Sequence, residues 1–345
     1  MENAKLNKRV EWIDVLKGIG IILVVLGHNQ VTKYAGTYIS SIHMPLFLLI
    51  SGYLYDSKKY SKFINFLESR FKGIIIPFLF FTLISLFTYM GLSMIRGEVI
   101  EWSKVIRQFI ISGVTPLNLP LWFLKTLFVV ELMFYFLKKY SKNNIILFVC
   151  LAIFLMISFN NHLFGLDFEV TRTFNALFFY GLGNLLRGKK IDFKYKIFIL
   201  LLTLVVSNII VAKSVNINLY LAISLTDHFM YFFLAACSGI TSCYILARFI
   251  NKSKILEYFG KNSLIVLGMH MLIKIFTSYF WVYILRAPRN MLNSKSNLSA
   301  LLYTVVILLL CVPVIEIYNK YFGKVFTKIN FSKQHASAEE KSLSN

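Results

Sequence analysis

The sequence predicts an all-α protein, a polytopic membrane bundle of about ten transmembrane helices. Three observations carry that expectation. The first is composition. Soluble domains are about one quarter charged, whereas here 15% of residues are charged, 57% hydrophobic and 16% aromatic, and the mean hydropathy is +0.66. The second is spacing. Apolar stretches of the length that crosses a hydrocarbon core about 30 Å thick recur along the whole chain of 345 residues. They run over residues 12–31, 39–55, 73–95, 119–137, 145–159, 172–187, 197–212, 227–247, 262–285 and 298–318.

The third is charge placement. A net charge of +21 suggests nucleic acid at first sight, but its distribution points to a membrane and away from nucleic acid. With the N-terminus assigned to the cytoplasm, 25 of the 37 lysines and arginines fall before residue 10, in loops 56–72, 138–144, 187–196 and 248–261, or beyond residue 318. Eight fall in the intervening loops, and four (Lys17, Lys125, Arg172 and Lys274) lie inside spans or at their edges. This alternation follows the positive-inside rule for ten spans with both termini cytoplasmic.

Residues 1–318 therefore read as one membrane domain and residues 319–345 as a cytoplasmic tail, polar and partly disordered from about Ser332. The first apolar stretch reads as a retained span rather than a signal peptide, because it carries Asp14, Lys17 and His28 and lacks a clear small-residue cleavage site. Cys150, Cys237, Cys243 and Cys311 all fall within spans and read as buried thiols.

An ionisable side chain in lipid costs roughly 2.5 to 3.5 kcal/mol at a helix centre on insertion scales, so each embedded one marks a candidate site. At about 100° per residue, Lys17 and His28 lie about 20° apart around the first helix and Asp14 about 40° from His28, on one face. At 1.5 Å per residue, Lys17 and His28 are about 16 Å apart along the axis. One face thus carries a cation near the cytoplasmic end and an imidazole near the outer end. Snorkelling to headgroups explains Lys17 equally well at this stage, and an interfacial imidazole explains His28.

The second span starts on the outer side, so His43 enters at about the depth of His28, with Ser51 further along. The fourth carries Trp122, Lys125 and Glu131, and the ninth places His270 and Lys274 at i, i+4 on one face. No third ligand accompanies His28 and His43 in sequence, so no metal is expected.

These residues carry a resemblance. The spacing from Lys17 to His28 resembles the first-helix signature of the bacterial membrane acyltransferase-3 family, a basic residue followed eleven positions later by histidine. The run HMPLFLLISGY from His43 to Tyr53 is similar to the family's second-helix motif. Arg70 and Lys72 through Ile76, Pro77 and Phe78 resemble the third, Leu121 to Leu124 with Glu131 the fourth, and Gly260, Asn262 and Ser263 through His270 the ninth. The resemblance covers roughly residues 9–318. Lysine at position 17, where arginine is commoner, is similar to the subgroup likened to fucose 4-O-acetylases.

The resemblance implies transfer of an acetyl group from acetyl-CoA to a hydroxyl of a cell-surface glycan or lipid-linked sugar, at a bacterial cytoplasmic membrane. It implies no tightly bound cofactor. His28 is the expected general base, accompanied by Asp14 and Lys17. His43, Ser51, Trp122, Glu131 and His270 are expected at the acceptor site or as orienting groups. Because CoA is anionic, Lys17, Arg70, Lys72 and Arg187 are the candidate donor-binding cations. The competing expectation is a transporter or flippase of lipid-linked sugars, whose embedded charges would mark a substrate path.

Overall fold

The computed structural model describes residues 11–60, 62–160, 164–189, 195–214, 229–284, 286 and 296–323. The basic residues before residue 10 and the tail from Ser332 lie outside the described residues. Among the described residues, twelve helices of eight residues or more follow in order: α1 (Glu11–Gly27), α2 (Lys33–Leu54), α3 (Phe63–Arg96), α4 (Trp102–Ser112), α5 (Leu119–Tyr140) and α6 (Asn144–Phe159). Then come α7 (Phe168–Leu186), α8 (Lys196–Ser214), α9 (Phe229–Ile250), α10 (Lys254–Lys261), α11 (Ser263–Ile284) and α12 (Asn297–Phe322).

Each predicted span coincides with one of these helices, and α4 and α10 are additional short helices in the loops. By length and composition seven of the described helices can cross a membrane: α2, α3, α5, α8, α9, α11 and α12. The helices α1, α6 and α7 are shorter or more polar and occupy the remaining predicted spans. The protein is a multi-pass membrane bundle. Side chains such as Leu201 and Val205 on α8 and Leu302 and Leu309 on α12 face outward, as a lipid-facing surface requires.

The third span begins ten residues earlier than the apolar pattern indicates. Pro77 has no N–H for the carbonyl one turn back, and a π turn over Phe71–Ile75 absorbs the defect, with the Ile76 N–H donating to the Phe71 carbonyl. The helix therefore continues through the proline and brings Arg70 and Lys72 onto it.

Two glycine crossings set the packing. A Cβ on Gly52 of α2 would lie 1.8 Å from the Tyr180 carbonyl oxygen of α7, and one on Gly183 of α7 would lie 2.0 Å from the Leu49 oxygen of α2. Similarly, a Cβ on Gly18 of α1 would lie 2.1 Å from the Leu256 oxygen of α10, and one on Gly260 of α10 would lie 1.9 Å from the Asp14 oxygen. At both crossings the helices touch backbone to backbone, which only glycine permits. Through them α1 and α2, which carry His28 and His43, are fixed against α10 and α7.

Candidate functional site

At the end of the bundle where α1 finishes, a cavity of about 300 Å³ is walled by His28, Ser40 and His43, by Gln108 of α4, by Trp122 of α5, and by Glu169 and Arg172 of α7. His28 follows the last residue of α1. Its N–H still bonds the Val24 carbonyl at 3.2 Å, and the Asn29 N–H closes a tighter turn onto Leu26 at 3.0 Å. Asn29 then reaches Thr304 of α12 through its Nδ2 at 2.7 Å.

The three predicted imidazoles come together at this end of the bundle, His28 and His43 on the cavity wall and His270 beside His28. His28 is half-buried, whereas His43 and His270 are 6% and 1% exposed. The rings of His28 and His270 are 5.3 Å apart between centroids. Nδ1 of His43 lies 2.6 Å from the Ile39 carbonyl, and Nδ1 of His270 lies 2.9 Å from that of Val266. A carbonyl only accepts, so these contacts place the proton of each neutral ring on Nδ1 and leave its Nε2 as an acceptor. The Nε2 of His270 is buried and has no hydrogen-bond partner among the described residues.

Opposite the histidines, the Arg172 guanidinium lies 4.3 Å from the Trp122 ring centroid and pairs with Glu169 one turn earlier. Sequence reasoning counted Arg172 only as an embedded charge and passed over Glu169. The signal was present, an acid and a base at i, i+3 in an otherwise apolar span. Gln108 lies on α4, a segment that the span pattern assigns to a loop.

The other embedded cations have definite tasks. Lys125 Nζ donates to the carbonyls of Ile110 and Ile111 at the end of α4, 3.1 Å from the former. Lys274 Nζ donates to the carbonyl of His28. Both satisfy carbonyls that a helix end leaves without intrahelical partners, where positive charge is also favoured by the helix dipole.

The remaining predicted residues lie away from this cavity. Ser51 is eight residues beyond His43, about 12 Å along α2, and Glu131 is nine beyond Trp122, about 13.5 Å along α5. Glu131 is 3% exposed, lies 2.9 Å from Arg70 Nε and accepts from the Tyr180 hydroxyl at 3.4 Å. Arg70 also donates to the Tyr60 hydroxyl at 2.8 Å and lies over the Phe66 ring. The structure thus joins Glu131, predicted for the acceptor side, to Arg70, predicted for the donor.

Lys72 pairs with Glu68 at 2.5 Å and Arg187 with Asp56 at 2.7 Å. Burial alone would raise the Asp56 carboxyl, but the Lys58 N–H and Arg187 hold it below its ordinary value. Asp14 is buried at the α1–α10 crossing, and Lys17, one turn on, is half-buried at the end of α1 away from His28. A larger cavity of about 410 Å³ lies beside Trp12, Leu16 and Tyr53, lined mostly by apolar side chains together with Lys189, Cys237 and Thr241 and by none of the predicted site residues.

The described residues form an all-helical membrane bundle with a cavity at one end walled in part by His28 and His43. The family model described as an acyltransferase domain matches residues 10–316, and the chain belongs to the acyltransferase-3 family. No curated protein and no solved structure matches it. The protein is a membrane acyltransferase.

Proposed function

We propose that the protein transfers an acetyl group from cytoplasmic acetyl-CoA to a hydroxyl of a cell-surface sugar or polysaccharide, with His28 as general base. The observation that carries this reading is His28 itself, the half-buried imidazole on the cavity wall, set among two buried histidines whose Nδ1 atoms are engaged by backbone carbonyls. A sugar hydroxyl is a weak nucleophile at neutral pH. His28 accepts its proton as the oxygen attacks the thioester carbonyl, the carbon–sulfur bond breaks, and the CoA thiolate leaves and is protonated. A positioned base contributes about 10² to 10⁴ in rate to such a step. Trp122 supplies an aromatic wall, and Gln108 and Ser40 supply hydrogen-bonding groups for sugar oxygens.

The alternation of basic loops supports an orientation with the histidine end outward and both termini cytoplasmic. The membrane is then the cytoplasmic membrane of a bacterium. The acceptor is a glycan or lipid-linked sugar, and acetyl-CoA is the donor substrate with no resident cofactor. Lys17, at the inner end of α1, is the cation assigned to a CoA phosphate, with Asp14 one turn away as its orienting group. Arg70, Lys72 and Arg187, which pair with Glu131, Glu68 and Asp56, are the further cations assigned to the donor.

Proteoliposomes with acetyl-CoA confined to the Lys17 side and acceptor to the His28 side test the reading directly. Labelled acetyl ester should form across the bilayer. Product that forms only when both substrates share one side would overturn the trans-bilayer arrangement.

Lys17→Gln is expected to raise the apparent KM for acetyl-CoA about tenfold with the acceptor KM little changed, as loss of one charge-assisted phosphate contact predicts. Lys17→Arg is expected to be tolerated, since a guanidinium binds phosphate through two donors. Equal small effects of Lys17→Gln on both KM values would instead identify Lys17 as a snorkelling residue.

A further inference from the structure

One face of α11 holds His28 at two points. His270 lies against its ring, 5.3 Å between centroids, and Lys274, one turn further along the same face, donates to its backbone carbonyl. We propose that Lys274 is a positioning residue for His28, fixing the backbone from which the catalytic imidazole projects; this rests on the general-base reading given above.

Four observations support the assignment. The His28 carbonyl belongs to the terminal group that α1 leaves without intrahelical acceptor duty, because the helix ends at Gly27 and the chain turns into a loop before α2. A carbonyl in that position inside a membrane bundle needs a donor from elsewhere, and Lys274 provides one carrying the charge that a helix C-terminus favours. The neighbouring residue is tied as well, Asn29 Nδ2 to Thr304 Oγ1 at 2.7 Å, so α11 and α12 both grip the turn that carries the base. Finally, α12 braces Lys274 itself, since the Tyr303 hydroxyl donates to the Lys274 carbonyl at 3.0 Å and lies 2.8 Å from the Ser278 hydroxyl one turn on.

Lys274 does not itself line the cavity and touches no atom that reacts; it acts through the backbone of His28. The energetic logic is that of near-attack geometry. A displacement of about 1 Å in a catalytic group can cost on the order of 10² in rate. Without the ammonium, the turn at His28 loses the contact that opposes such a displacement on the α11 side. The ring contact with His270 and the Asn29–Thr304 bond remain, but neither holds the His28 carbonyl itself.

The test is a kinetic comparison of Lys274→Met, Lys274→Arg, His28→Ala and the double variant His28→Ala/Lys274→Met in proteoliposomes, with membrane abundance and melting followed in parallel. Lys274→Met is expected to lower kcat at least tenfold while the KM values for acetyl-CoA and acceptor stay within about threefold. Lys274→Arg, which retains a charged donor, is expected to recover most of that loss. Because the two residues act as one unit, Lys274→Met should cost no further activity in the His28→Ala background.

A Lys274→Met protein with wild-type kcat, alongside an inactive His28→Ala, overturns the positioning role and leaves the general base standing. An additional tenfold loss in the double variant overturns it too, by showing an independent task. Full activity of His28→Ala removes the general base itself. Should Lys274→Met fail to accumulate, Lys274→Gln keeps a donor without the charge and is expected to fall between methionine and arginine in kcat. A kcat for Lys274→Gln equal to that of wild type would overturn the proposal.

Discussion

His28→Ala is expected to lower acyl transfer by about 10² or more while the protein still reaches the membrane in normal amount. The imidazole lies at the end of α1 on a cavity wall, half-buried, and its loss removes no core contact of the kind that holds α1 in place, which comes from Val24, Val25 and Ile21. His28→Gln retains a hydrogen-bonding group of similar reach but accepts no proton, so it should fail almost as badly. Rates are to be measured as labelled ester formed per unit of folded protein. A well-expressed His28→Ala enzyme with the wild-type rate would exclude His28 as the base and transfer attention to the Nε2 of His270.

Glu131→Ala is expected to destabilise the bundle by about 3 kcal/mol, the lower part of the range for removing one partner of a buried ion pair, because Arg70 retains partial solvent exposure. Arg70 would be left with the Tyr60 hydroxyl and the faces of Tyr60 and Phe66. The readout is the midpoint of thermal unfolding in detergent, together with membrane abundance. Replacing both partners, as in Arg70→Met/Glu131→Leu, should recover much of the loss, since no unpaired charge then remains. Unchanged melting of Glu131→Ala would show that the pair contributes nothing to stability. The double variant also separates roles for Arg70: a structural residue leaves the KM for acetyl-CoA unaltered, whereas a donor ligand raises it.

Much of this architecture was legible in the sequence, because in a bilayer each span must satisfy its own backbone and so declares itself as a long apolar run. Seven of the ten predicted spans are helices long and apolar enough to cross a membrane, and the other three fall on shorter or more polar helices, α1, α6 and α7. The short helices α4 and α10 are not part of that pattern, since neither is apolar throughout. Trp102, Ile106 and Ile110 form an exposed stripe on α4, while Val105 packs inward, a pattern of a helix at an interface rather than across one.

The convergence of His28, His43 and His270 was half legible. Antiparallel spans put His28 and His43 at one depth, but adjacency around the bundle axis depends on which helices are neighbours, and ten unlabelled helices leave that open. The partners of Arg70, Arg187 and Lys274 were hidden for the same reason, since each is supplied by a distant part of the chain. Only local pairs, such as Lys72 with Glu68 and Arg172 with Glu169, could be read from spacing.

The glycine contact between α2 and α7 has a mechanical consequence. Gly52 and Gly183 bring the two helices into backbone contact near one end, and both helices run from there to the histidine cavity. His43 sits on one helix, nine residues or about 13.5 Å from the contact, and Arg172 on the other, eleven residues or about 16.5 Å away. A rotation of about 5° at the crossing moves each tip by more than about 1 Å, comparable to the tolerance of a catalytic site. A side chain introduced at either glycine, by forcing the crossing to shift, would therefore change the width of the histidine cavity at the far end of both helices.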